Sequence, residues 1–128
     1  MNINLEYPLD IDKLLRKKKS IKKELLNKKN LAEKNIAILG GSTTSEIINI
    51  LELFLLDSGI KPNFYESEYN KYYEDALFGN DVLDKFNPDI VYIHTTNQNI
   101  IKYPELNNNV DEIFTLINNE IERYKSIW

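Results

Sequence analysis

Gly40-Gly41-Ser42-Thr43-Thr44 is the segment whose residue types and spacing best suit chemistry. Two glycines let the backbone turn tightly, and a helix starting just after them would present unpaired N–H groups to an anion. In that setting Ser42 is a candidate nucleophile. Alternatively, its hydroxyl and the N–H groups of Gly40, Gly41, Thr43 and Thr44 hold a phosphate or an oxyanion. The same residues also suit a plain strand-to-helix turn with a capping hydroxyl. The Gly-Lys-Ser/Thr of a Walker A loop is absent.

A second group is His94-Thr95-Thr96-Asn97-Gln98-Asn99. A histidine at a strand end can act as acid or base, and an asparagine amide can donate to a developing oxyanion. His94, Thr95, Asn97 and Asn99 are therefore candidate ligand contacts; the alternative is a buried strand-end histidine followed by turn formers. A third group runs from Glu66 to Asp75, acidic and rich in tyrosine. It reads as a pocket lining, a docking surface, or a surface helix with tyrosines over the core. It contains no Asp-x-Asp pair after a strand, and no metal site is expected.

Composition narrows the chemistry further. The chain has 128 residues, 42% hydrophobic and 28% charged, which fits one globular domain. It has no cysteine, so disulfide scaffolds, thiolate zinc sites and cysteine nucleophiles are excluded. With His94 as the one histidine, no scheme needing two can operate within the chain. No run of 18 apolar residues exists to span a membrane. The start, Met1 to Glu6, is acidic and lacks a signal-peptide pattern, so a cytoplasmic address is expected.

These groups need elements to position them. Asp10 or Asp12 can cap a helix over residues 10–30, with Ile11, Leu14, Leu15, Ile21, Leu25 and Leu26 as an apolar stripe. Asn35 to Leu39 reads as a buried parallel strand. Thr43 or Ser42 can cap the next helix, with Glu46 at capping-box distance from Thr43, and Gly59 ends that helix. Its apolar residues run almost all round, so burial on more than one side is expected. Ile60 to Tyr65 is a second strand, which Pro62 pushes to a sheet edge. Tyr69, Tyr72, Tyr73, Ala76 and Leu77 mark a short amphipathic helix, Asp81 to Phe86 another turn of helix, and Ile90 to His94 a β-branched third strand. A last helix covers about Val110 to Ile127, with Ile113, Phe114, Leu116, Ile117, Ile121 and Tyr124 on its inner side. Alternating helices and strands predict an α/β, three-layer, Rossmann- or flavodoxin-like domain with a short parallel sheet of about three strands. Residues 1–34 form its basic N-terminal helix, and residues 35–128 the α/β body. So thin a sheet suggests a fragment, or a neighbour that completes it.

Charge is unevenly spread. Residues 13–34 hold ten basic groups against Glu24 and Glu33, a net +8, within a chain whose net charge is −4. The remainder is strongly acidic, and no aromatics interleave with the lysines, which argues against nucleic acid as a partner. The bland reading of the lysines is a solvated outer face.

Several segments together resemble the N-terminal region of FkbH-like proteins: Leu14 to Lys19, Ile36 to Glu46, Phe54 to Ile60, Tyr65 to Tyr72, and Pro88 to Thr95. The resemblance covers nearly the whole chain. It implies an SGNH-hydrolase-like domain that precedes a phosphatase domain of the HAD superfamily. In that family the HAD domain, with an Asp-x-Asp motif and Mg²⁺, dephosphorylates a glycerate phosphate donor, and the glyceryl group is loaded onto an acyl carrier protein in polyketide or surface-polysaccharide biosynthesis. The HAD motifs are absent here, so the resemblance implies no cofactor for this region and Mg²⁺ only for the HAD domain expected downstream. Ser42 matches the SGNH nucleophile position. Gly79 is the candidate oxyanion glycine, and Asn97 or Asn99 the candidate asparagine. The family pattern His-Thr-x-x-Arg-Asn aligns with Asn99, and Gln98 stands where the arginine would be. The paired catalytic Asp and His have no counterpart before Trp128.

Two functions follow as expectations. One is a non-hydrolytic accessory domain that places an acyl carrier protein or a small phosphorylated donor beside the HAD domain. Its carrier contacts would be Arg16, Lys17, Lys18, Lys19, Lys22 and Lys23, because carrier proteins are acidic. The other is an SGNH-type esterase or acyl-transfer domain using Ser42, completed by residues outside this chain.

Overall fold

A computed structural model describes residues 5–128; the reading of Met1 to Asn4 lies outside the described residues. The element order is α1 (Ile11–Leu25), β1 (Ala32–Gly40), α2 (Ser45–Asp57), β2 (Ile60–Glu66), α3 (Tyr72–Phe78), α4 (Asp81–Phe86), β3 (Ile90–His94) and α5 (Val110–Lys125), with a 3₁₀ turn at Asn97–Asn99. The three strands form one parallel sheet in the order β2-β1-β3. β1 pairs with β2 from Ala32↔Ile60 to Ile38↔Glu66, and with β3 from Ile36↔Ile90 to Gly40↔His94. The expected α/β class and parallel sheet are therefore present, with β2 at an edge as Pro62 foretold.

Right-handed crossovers put α2 on one face and α3 and α4 on the other, because the chain steps from β1 to β2 and then back past β1 to β3. Strand alternation divides β1 accordingly. Ala37 and Leu39 join Tyr72, Leu83 and Ile127 in one core. Ile36 and Ile38, also buried, turn to the opposite face. Beyond that face α1 packs on α2, where Leu14, Ile21 and Leu25 meet Leu53, Leu56 and Leu5. The segment 1–34 thus shares a core with the body, and β1 begins inside it at Ala32.

Local chemistry explains the element ends. The Asp10 carboxylate accepts from the Lys13 N–H at 3.0 Å and caps α1. Gly59, with φ +84°, closes α2 in the left-handed region that side chains avoid. The expected cap at Ser42 or Thr43, with Glu46 closing a capping box, does not form. Thr44 is the N-cap and its side chain makes no capping bond. Glu46 instead meets Lys18 at 3.0 Å.

Two apolar stripes are narrower than their spacing suggested. On α1, Ile11, Leu15 and Leu26 are exposed. At 100° per residue only Leu14, Ile21 and Leu25 fall on one line, and α2 is the single helix that covers it. On α5, Phe114, Ile117 and Ile121 are exposed rather than inward. That helix is held through Arg123, Tyr124 and Ile127 near its end.

Candidate functional site

The carboxyl ends of the three strands bring the first two sequence groups together, as the parallel sheet requires. The Gly41 N–H donates to the His94 carbonyl at 2.8 Å, which joins the loop after β1 to the end of β3. The Asn99 amide donates to the Gly41 carbonyl at 2.8 Å, and its oxygen accepts from the Thr96 N–H at 2.8 Å. Gly41 must be small here, because a Cβ would lie 2.4 Å from the Asn99 amide nitrogen. Gly40 is equally confined, since a Cβ would come within 2.7 Å of the Thr44 methyl.

β2 contributes from the other side. The Gly40 N–H donates to the Ser67 hydroxyl at 3.0 Å, and the Thr44 hydroxyl donates to the Glu66 carboxylate at 2.6 Å. Thr44 is therefore spent on Glu66 and leaves the first-turn N–H groups of α2 without a side-chain cap. Those N–H groups carry the positive end of the helix dipole. Half-buried Ser42 and exposed Thr43 stand at this opening. The Ser42 hydroxyl makes no hydrogen bond among the described residues.

His94 does not reach Ser42 as a base. Its Nδ1 lies 3.5 Å from the Tyr92 hydroxyl, and its ring stacks on Tyr92 with centroids 6.1 Å apart. No carboxylate orients it among the described residues. Thr95 is half-buried beside it, and the Asn97 carbonyl accepts from the Tyr103 hydroxyl. Gly79 stands apart from this loop pair. With φ +67° it ends α3, its N–H donates to the Asp75 carbonyl at 2.9 Å, and a Cβ would meet the Asp84 carboxylate.

Sequence reasoning missed Arg123. Its guanidinium donates to the Asn99 carbonyl at 2.8 Å and to the Tyr72 hydroxyl at 3.2 Å, is paired with Glu120, and lies over the Tyr73 and Tyr124 rings. The Glu120 bond holds its pKa well above the ordinary arginine value. Burial pushes the Tyr72 phenol up, against the pull of Arg123. The one available signal was the i,i+3 spacing of Glu120 and Arg123.

The third group, around Glu66 to Asp75, borders an open cavity of about 680 Å³ that Asn80, Asp81 and Val82 also line. Asp75 is buried and accepts from the Asn80 amide at 2.9 Å. Among the described residues, no group of three or more His, Asp or Glu side chains is placed to hold a metal ion.

The basic helix splits into two sets. Lys18, Lys22 and Lys28 are committed to Glu46, Glu52 and Asp57 on α2, at 3.0, 2.7 and 2.6 Å. Arg16, Lys19 and Lys23 lie on the side opposite the buried line of Leu14, Ile21 and Leu25, where all three are exposed. Lys17 is half-buried. No described helix is long and apolar enough to cross a membrane. Compared with protein families, curated proteins and solved structures, the chain has no match in any of the three.

Proposed function

We propose that this chain is an accessory α/β domain of the FkbH-like kind. It docks an acidic acyl carrier protein and presents the carrier's cargo to a HAD-type catalytic domain for glyceryl transfer. The observation that carries the reading is the outer face of α1. Arg16, Lys19 and Lys23 recur at spacings of three and four, and the acids of α2 neutralise a different set of lysines. The cationic face left over suits steering of an anionic protein.

The loop after β1 then faces the cargo. With the Gly40 and Gly41 N–H groups spent on Ser67 and His94, the uncapped N–H groups at the start of α2 suit a carbonyl or glyceryl oxygen. Glu66, a carboxylate held against the same loop, weighs against a phosphate dianion at that point. Ser42 lacks a base, and Asn99 is spent bracing the loops, so positioning fits this geometry better than hydrolysis.

Titration with an acidic carrier protein tests the reading. Binding should weaken about tenfold or more between 50 and 300 mM salt, as expected for an association driven by exposed charge. Lys19→Glu with Lys23→Glu should abolish it, and Ser42→Ala should leave it unchanged. Absence of binding at low salt would sink the proposal.

A second reading rests on the same open loop. The Ser42 hydroxyl, unbonded among the described residues beside the uncapped start of α2, is the support for an acyl-transfer nucleophile there. Labelling by a fluorophosphonate probe, lost in Ser42→Ala, would favour that reading over the accessory role.

A further inference from the structure

β3 and α5 leave apolar side chains uncovered among the described residues, with Val91 on the α5 side of the sheet and Ile90 and Tyr92, in register with Ile36 and Ile38, on the other. Ile90, Val91 and Tyr92 on β3 are 50%, 50% and 43% exposed. The two sheet edges differ in kind. β2 carries Lys61 and Pro62, residues that blunt an edge against pairing. β3 reads Ile-Val-Tyr-Ile-His, with no charge, proline or glycine, and β1 is its one strand neighbour. On α5, Val110, Phe114, Ile117, Ile121 and Tyr124 are spaced four, three, four and three apart, the seam of a helix that packs knobs into holes, and Trp128 follows three residues past its end. Phe114 is 60% exposed and Trp128 84%. Trp128 and Val91 line one groove of about 520 Å³ with Leu39 and Ile127, so the strand meets the segment just past α5.

We propose that a second copy of this chain covers this surface in a two-fold dimer. In an antiparallel β3–β3 pair centred on Tyr92, Val91 faces Ile93 of the second copy, Ile90 faces His94, and Tyr92 faces its own mate. No like charges are opposed, and the Tyr92–Tyr92 pair is an aromatic cross-strand pair of the kind that stabilises a sheet. The exposed parts of Val91, Tyr92, Phe114, Ile117, Ile121 and Trp128 amount to roughly 700 Å², taking large side chains at about 150–250 Å² each. That approaches the roughly 800 Å² each partner buries in a stable complex. The dimer would have one continuous sheet of six strands.

Sedimentation equilibrium of the full chain, from about 1 to 200 μM, should show a monomer–dimer equilibrium in the micromolar range typical of modest interfaces. Ile117→Asp, at an exposed site that folding does not need, should weaken dimerisation at least ~10-fold with unchanged circular dichroism. Because the chain has no cysteine, Tyr92→Cys supplies a single reporter, and mild oxidation should give a covalent dimer. A monomer across the whole range overturns the proposal, including one that takes up a different protein through this face. A dimer indifferent to Ile117→Asp and not cross-linked through Tyr92→Cys overturns it too, since its contact lies elsewhere.

Discussion

Asn99 fastens the two loops of the candidate site: its amide donates to Gly41, its oxygen takes the Thr96 N–H, and Arg123 holds its carbonyl. Asn99→Ala should lower the unfolding free energy by ~1–2 kcal/mol, since two side-chain bonds are lost, the Gly41 bond part-buried and the Thr96 bond exposed. Gly41→Ala should cost ~1–3 kcal/mol by overpacking, because the new Cβ would sit 2.4 Å from the Asn99 amide. In the Asn99→Ala background that clash disappears. The double-mutant cycle in urea should therefore show a coupling of ~1–2 kcal/mol, and strict additivity would refute the clamp. A second residue sets part of the acid response. Asp89 accepts from the Asn35 N–H at 2.8 Å, and this bond holds its carboxyl below the usual value, with Lys34 adding to the effect. Its folded pKa is depressed, so its contribution is complete above the unfolded pKa near 3.9 and is lost as pH falls through the folded value. Urea midpoints taken from pH 5 down to 2 should fall less steeply for Asp89→Asn than for the parent chain.

At the scale of elements, α1 and α2 show which forces hold them together. Ile21 is 2% exposed at the centre of their contact, whereas Lys18 and Glu46 pair across its rim with Glu46 largely in solvent. Ile21→Ala should cost ~2–4 kcal/mol through lost burial and the cavity left behind. Glu46→Ala should stay within ~0.5 kcal/mol, as surface ion pairs do. Guanidinium unfolding of both variants checks this, and the reverse ranking would show the charges to dominate. Sequence legibility divides along the same line. β3 is legible from Ile90 to His94 because a run of β-branched and aromatic residues leaves no other reading. β1 is legible only from Asn35. Its first residues, Ala32, Glu33 and Lys34, are exposed, two of them charged, and they are strand through backbone pairing with Ile60, Lys61 and Pro62. Hydropathy does not record that pairing. The stripes of α1 and α5 were legible as stripes, but periodicity identifies an apolar face without saying what covers it. At the site, Gly41, Ser42 and Asn99 were legible as neighbours from the parallel topology. The engagement of Asn99 with Gly41 and Arg123 was not, since it depends on a helix more than twenty residues away.

Across the whole molecule, burial is graded rather than uniform. β1 is covered on both faces: Ile36, Ala37, Ile38 and Leu39 are at most 3% exposed, and the strand pairs on both sides. α5 buries no residue within its helical span, and Ile127, just past its end, supplies the anchor. Native-state stability should follow this gradient, because an element with few buried contacts can open without unfolding the rest. Hydrogen exchange at low micromolar concentration should find the amides of Ile36 to Leu39 slowest, close to the rate set by global unfolding. The amides of Phe114 to Ile121 should exchange at least ~100-fold faster, a gap of about 3 kcal/mol in local opening. Arg123 makes the gradient directional. It ties the end of α5 to Tyr72 and to the Asn99 loop, so the last turn should exchange more slowly than the first two. Arg123→Ala should speed exchange in that last turn and in Thr96 to Asn99 together, while the amides between Ile36 and Leu39 keep their rate. If the last turn and the loop responded separately, the guanidinium would be a local ornament of α5. If they respond together, the loop that frames Ser42 draws its order from a helix the core holds only by its end.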